Sequence, residues 1–202
     1  MPKLNLLPQR LPQGFADRMG RSVGALGVTP NMISLFGFAG NVLAAYLIVR
    51  EALPWAGVVF LVFSALDMVD GAVARATGTV TRFGAVFDAI LDRASEALVL
   101  SACAWYFGER GEDIQAALTF AALLGSVAVS YLRARAEGEG VTMREGFFRR
   151  QERVAVIGVA LLANALTVAM GLLAVAANLT AFQRAYLLGR ALLAQDRRPA
   201  GR

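Results

Sequence analysis

Four aspartates, Asp67, Asp70, Asp88 and Asp92, interrupt a stretch of chain that is otherwise almost wholly apolar. Asp67 and Asp70 stand at i, i+3 and Asp88 and Asp92 at i, i+4, so on helices each pair projects from one face. An aspartate at the centre of a membrane helix costs roughly 2.5–3.5 kcal/mol, so four bare ones would cost about 10 kcal/mol and would also repel one another. Two divalent ions, Mg²⁺ or Mn²⁺, answer both problems, because they cancel four negative charges and prefer oxygen ligands. A two-metal site generally serves phosphoryl transfer, clamping the attacking and leaving oxygens in line. The chain has no histidine. That removes the commonest general base and transition-metal ligand, so proton transfer falls to carboxylates and any ion is a hard one.

The neighbours of the aspartates suit a bulky anion. Gly71 and Ala74 leave one side of their helix bare, so a ligand backbone or sugar can come close. Arg75 offers a planar fork to phosphate oxygens. Thr79 and Thr81 bring hydroxyls, and Gly84 keeps the start of the next helix open. Two other readings stand beside this one. Arg75, Arg82 or Arg93 could pair with the aspartates as a purely structural network, which leaves the glycines unexplained. An aspartate-lined pathway for cations is the other.

The elements that must position these groups are membrane helices. Of 202 residues, 57% are hydrophobic and 17% charged, and the mean hydropathy is +0.55. A soluble domain carries nearer a quarter charged residues. The single Cys103 excludes a disulfide framework. The composition predicts an all-α integral membrane protein with six transmembrane helices, near 30–50, 54–75, 82–107, 113–136, 152–166 and 168–192. Pro30 and Pro54 each suit a first helical position. Residues 1–29 form an N-terminal arm. In it Leu11, Phe15, Met19, Val23 and Leu26 recur at helical spacing, which predicts an amphipathic helix in the membrane interface. Residues 30–192 form the membrane domain and 193–202 a basic tail. Most of the 20 basic residues fall in the arm, the 133–153 connection and the tail. Arg50 and Arg110 sit on the other side among acids. This bias puts both termini and the aspartates' end in the cytoplasm of a cell (inner) membrane protein. Attraction to anionic lipid accounts for the basic charge, so no nucleic-acid partner is expected.

The stretch from residue 67 to residue 92 resembles the signature of the CDP-alcohol phosphotransferase family, D-x2-D-G-x2-A-R-x8-G-x3-D-x3-D, at every fixed position. Here it reads Asp67, Asp70, Gly71, Ala74, Arg75, Gly84, Asp88 and Asp92. The resemblance implies that the four aspartates hold two metal ions and that Asp92 is also the general base on the acceptor hydroxyl. It implies that Gly71, Arg75 and Thr81, with Ala74 and Gly84, contact the CDP-lipid, and that Pro30, Asn31, Met32 and Ile33 contribute to the nucleotide site. Such enzymes join a CDP-linked lipid to an alcohol and release CMP.

A second charged group points to the acceptor. Arg133 closes the fourth expected helix, Arg150 and Arg153 open the fifth, and Arg184 lies inside the sixth. A buried arginine needs an anionic partner. A phosphate on the acceptor is one candidate, and an aspartate or Glu96 is another. The segment is similar to that of phosphatidylinositol-phosphate synthases, with Arg133 in place of a lysine and Gln151 in place of a proline. That resemblance implies acceptor-phosphate binding by Arg133, Arg153 and Arg184, with Arg150 as a further candidate. It also implies a homodimer. The reading is transfer of the phosphatidyl group from CDP-diacylglycerol to inositol phosphate. Glycerol 3-phosphate is the alternative phosphorylated polyol, and divalent-cation transport the alternative from another class.

Overall fold

The computed structural model describes residues 27–143 and 148–196, with backbone alone at residues 67 and 68. The expected interfacial helix and the end of the basic tail lie outside the described residues. Seven helical segments follow in order: α1 (Pro30–Val49), α2 (Leu53–Ala65), α3 (Asp67–Ala76), α4 (Arg82–Glu109), α5 (Asp113–Gly138), α6 (Arg150–Leu162) and α7 (Leu166–Asp196). No strand occurs among the described residues. Four helical stretches are long and apolar enough to cross a membrane: α1, α2 with α3, α5 and α7.

Local chemistry sets the ends. Thr29 caps α1 by accepting from the Met32 N–H at 3.3 Å, with Pro30 as the first helical residue. Thr81 caps α4 by accepting from the Gly84 N–H at 2.9 Å. Glu152 reaches back to the Arg149 N–H at 2.9 Å, which opens α6. Between α3 and α4 the chain reverses through Gly78, at φ +67°, a conformation glycine adopts without strain.

Two expectations need correction. The helix expected over 54–75 is divided at Leu66, where Leu66 N–H bonds to Phe63 O at 3.2 Å and Val69 N–H to Leu66 O at 2.8 Å. These i→i+3 bonds tighten the turn immediately before Asp67. The long apolar stretch after residue 152 does split in two, but at Ala163–Ala165, earlier than the 166/168 junction expected. Asn164 there takes φ +53°, and Ala165 N–H returns to Ala160 O at 2.8 Å. Asparagine tolerates this left-handed conformation better than most residues. α7 runs on to Asp196, past the expected end at 192.

Close packing comes from small residues. A Cβ on Gly57 of α2 would lie 2.9 Å from Leu162 N and 3.0 Å from Gly158 O of α6. One on Gly125 of α5 would lie 2.9 Å from the Asn178 backbone of α7. Asn178 also donates to Ala121 O at 2.8 Å, tying α7 to α5. Gly37, Gly40, Ala44 and Ala45 of α1 are buried inside the protomer. The core is Ile48, Phe60, Leu100, Cys103, Ile157, Leu161, Met170 and Leu173. The outside is equally apolar. Phe182 is 81% exposed and Ile114 and Val168 75%, an arrangement that water would not tolerate on this scale and lipid would.

Candidate active site

The first turn of α1 stands between the two aspartate-bearing helices. Ser34, buried on α1, donates its hydroxyl to Oδ2 of buried Asp70 on α3 at 2.6 Å. On the other side, a Cβ on Gly84 of α4 would meet Asn31 Oδ1 at 3.2 Å and Thr81 Oγ1 at 3.0 Å. Glycine is what allows α4 to start this close to α1. Thus α1 gathers the two halves of the signature at one end of the bundle.

On α3 the Arg75 guanidinium folds back over Gly71, with Nη1 3.1 Å from where a Cβ would be. A side chain at residue 71 would push aside the group best suited to diphosphate oxygens. Thr77 and Thr79 join their hydroxyls at 2.7 Å in the following turn. Pro30, Asn31 and Ala74 are half-buried, Ile33 is buried, and Met32 and Thr81 are exposed.

On α4, Asp88 and Asp92 are half-buried. Asp92 Oδ1 lies 2.8 Å from Nη2 of Arg150 on α6. One turn further, Glu96 receives Arg153 at 2.5 Å through Nε and 2.9 Å through Nη2. The remaining arm of Arg153 donates to Phe148 O at 3.3 Å. Arg184, buried on α7, donates to Val129 O of α5 at 2.8 Å. Arg133 is exposed and pairs with Glu137 one turn along α5 at 2.9 Å.

The four arginines assigned to an acceptor phosphate therefore differ. Arg150 is at the aspartates. Arg153 is buried, with two bonds to Glu96 and one to Phe148 O. Arg184 is held by a backbone carbonyl of α5, while Glu96, one of the carboxylates open to it on sequence grounds, is bonded to Arg153. Likewise Arg150, outside the three arginines weighed on sequence grounds, lies on an aspartate, while Arg93 bonds to the Ala89 carbonyl of its own helix.

Ser34 and Glu96 escaped the reading of the sequence as site residues. Nothing about a serine at one turn into α1 distinguishes it. Glu96 did carry a signal: it extends the Asp88–Asp92 spacing by one more turn, as a third acid on the same face.

Among the described residues no three acidic side chains stand ready-gathered around one point, and the Asp67 side chain lies outside them. The donor chemistry nonetheless suits hard divalent ions. The side chains are carboxylates, Asp70 accepts from the neutral Ser34 hydroxyl, and Asp92 already faces a cation.

Residues 27–192 match the CDP-alcohol phosphatidyltransferase family. The chain belongs to that family. As a CDP-alcohol phosphatidyltransferase it is a phospholipid-synthesising enzyme, which sets aside the transport alternative. It is 38% identical over 172 residues to an archaetidylinositol phosphate synthase of Pyrococcus horikoshii, covering 84% of this chain and 88% of the relative. It is also similar to the crystal structure of Mycobacterium tuberculosis phosphatidylinositol phosphate synthase (PgsA1) with CDP-DAG bound, at TM-score 0.80 and 32% identity, covering 87% of this chain and 94% of that one. The same M. tuberculosis enzyme in complex with manganese and citrate matches at TM-score 0.77 and 33% identity, covering 86% and 88%. The fold and the family membership therefore agree with the signature on α3 and α4.

Proposed function

We propose that this transferase moves the phosphatidyl group of CDP-diacylglycerol to an inositol phosphate, giving phosphatidylinositol phosphate and CMP. The observation that carries the reading is the meeting of both halves of the signature at the first turn of α1, through Ser34–Asp70 and Asn31–Gly84. The names of the two relatives described above agree on inositol phosphate and differ in the lipid half, archaetidyl or phosphatidyl.

Asp67, Asp70, Asp88 and Asp92 hold the metal, two ions of Mg²⁺ or Mn²⁺. When bound, these neutralise the diphosphate and draw charge off the departing CMP. Gly71, Ala74, Arg75, Thr81 and Gly84, with Pro30, Asn31, Met32 and Ile33, receive the CDP-lipid. Asp92 takes the proton from the acceptor hydroxyl. The hydroxyl oxygen bonds to the lipid-side phosphorus as the phosphoanhydride bond breaks, and CMP leaves with the electron pair. The chain offers no Ser–His or Cys–His pair for a covalent intermediate, which favours a single direct displacement. Arg133, Arg153 and Arg184, with Arg150 as a further candidate, supply positive charge for the acceptor phosphate, Arg153 from its bond with Glu96.

The chain crosses a cell membrane six times, with α4 and α6 added to the four plainly apolar spans, and both termini and the site face the cytoplasm. α6 has 13 residues, about 20 Å of helix, so it crosses only with its flanking turns. The resemblance to the inositol-phosphate branch supports a homodimer.

The test is incubation of purified protein with radiolabelled CDP-diacylglycerol, Mg²⁺ or Mn²⁺, and either inositol phosphate or glycerol 3-phosphate. Lipid product and CMP are expected with inositol phosphate. Product with glycerol 3-phosphate alone would overturn the acceptor assignment, and no CMP release with either would overturn the donor.

A further inference from the structure

Two acid–base pairs link α4 and α6 like rungs of a ladder. α4 presents Asp92 and Glu96 one turn apart, and α6 presents Arg150 and Arg153 one turn apart. The rungs close at 2.8 Å for Arg150–Asp92 and 2.5 Å for Arg153–Glu96. They are unlike in kind. The side chains of Arg153 and Glu96 are 1% and 5% exposed, doubly bonded, and tied to the chain before α6 through Phe148 O. Those of Arg150 and Asp92 are 25% and 18% exposed. Removing one partner of a buried pair strands a charge, so the inner rung is a fixture. An ion pair that water reaches is weak enough to exchange.

We propose that Glu96 is a positioning residue: through Arg153 it seats α6 so that Arg150 rests on Asp92, from which Arg150 moves to the acceptor's phosphate when a divalent ion takes the Asp92 carboxylate. The inference rests on the proposed function. Arg150 and the ion compete for one carboxylate. While the ion is away, Arg150 limits the charge repulsion among the aspartates. Once displaced, Arg150 stands beside the group that will deprotonate the acceptor, which is where a phosphate on that acceptor gains from a guanidinium fork. Without the Glu96 carboxylate, Arg153 is left buried and unbalanced, the start of α6 shifts, and Arg150 leaves Asp92. The two consequences have opposite signs: the ion binds more tightly and the acceptor more weakly. A merely structural lesion would weaken both.

The experiment is Mn²⁺ titration of the purified full chain by electron paramagnetic resonance, paired with acceptor kinetics, for Glu96→Gln, Glu96→Asp, Arg150→Ala and Asp70→Asn. Glu96→Gln and Arg150→Ala should lower the Mn²⁺ Kd about fivefold, the worth of an ion pair that water reaches. The same variants should raise the acceptor KM about tenfold or more, with a smaller change in kcat. Glu96→Asp, which keeps the charge but shortens the reach, should shift both in the same directions by less, and it carries the test should Glu96→Gln not fold. Unchanged or weaker Mn²⁺ binding in the Glu96 variants and in Arg150→Ala, with Asp70→Asn weakened as a metal ligand should be, would overturn this inference alone. Unchanged Mn²⁺ binding in Asp70→Asn would overturn the metal assignment and this inference with it.

Discussion

Asp92 is asked to do two things with one carboxylate: hold charge at the site and take a proton. Its position explains why both are open to it. It is half-buried, so it is neither stranded in lipid nor freely hydrated, and a guanidinium already lies against it at 2.8 Å. An asparagine at this position would keep the shape and lose the basicity. Asp92→Asn should therefore lower transfer at least about a hundredfold, the usual contribution of a positioned base, while CDP-lipid binding measured by calorimetry persists. Undiminished turnover would remove Asp92 from that role. Ser34 works at the same scale but on stability. Its bond to buried Asp70 is a hydrogen bond to a charged group, so Ser34→Ala should cost roughly 1.5–3 kcal/mol, read as a lower melting temperature in detergent. The aspartates were legible from type and spacing. Ser34 was not, because a hydroxyl that reaches a residue 36 positions away leaves no local pattern.

Helices carry these residues, and their close approach depends on glycines. Gly57 of α2 meets backbone atoms of α6, which cannot turn aside as a side chain would. Gly57→Ala should push α6 away at a cost of roughly 1–3 kcal/mol. Because α6 bears Arg150 and Arg153, the acceptor KM should rise along with the fall in melting temperature. Gly108 of α4 has nothing within 4 Å of an added Cβ, so Gly108→Ala should leave the melting temperature unchanged or raised, since alanine favours helix over glycine. Equal losses from both would show that glycine's close contacts do not govern the packing. The start at Pro30 could be read from the residue alone, while the caps at Thr29 and Thr81 came with the structure. The turn at Asn164 and the tightened turn at Leu66 could not be read that way, since neither is marked by a proline or a glycine and neighbouring helices choose the bend.

At the scale of the molecule, charge and apolar surface divide the bundle. The end of α4 and the loops beside it tie their charges to each other, Arg110 meeting Glu51 at 2.8 Å and Glu112 at 3.4 Å. The opposite end carries Arg133, Arg135, Arg149 and Arg150. If the basic end is cytoplasmic, a membrane-impermeant thiol reagent should label Glu109→Cys in intact cells and Glu139→Cys only after permeabilisation. The reverse pattern would invert the proposed topology. Native Cys103 is fully buried and should stay silent in that assay. Chelation of divalent ions should stop CMP release in the same preparation, with recovery on adding Mg²⁺ or Mn²⁺.

What the chain of letters determined by itself was local and periodic: apolar runs long enough for lipid, aspartates repeated at one helical turn, an arginine bias toward one side, and an eight-position signature spanning two helices. Each is a property of residues close in sequence, so geometry no finer than helical pitch suffices to read it. Only the tertiary structure decided the partners. It set α1 between α3 and α4, gave Asp92 to Arg150 and Glu96 to Arg153, and placed Arg184 on a backbone carbonyl. Those choices depend on how closely glycine-bearing helices approach and rotate, and a buried charge takes whichever opposite group that packing brings within reach.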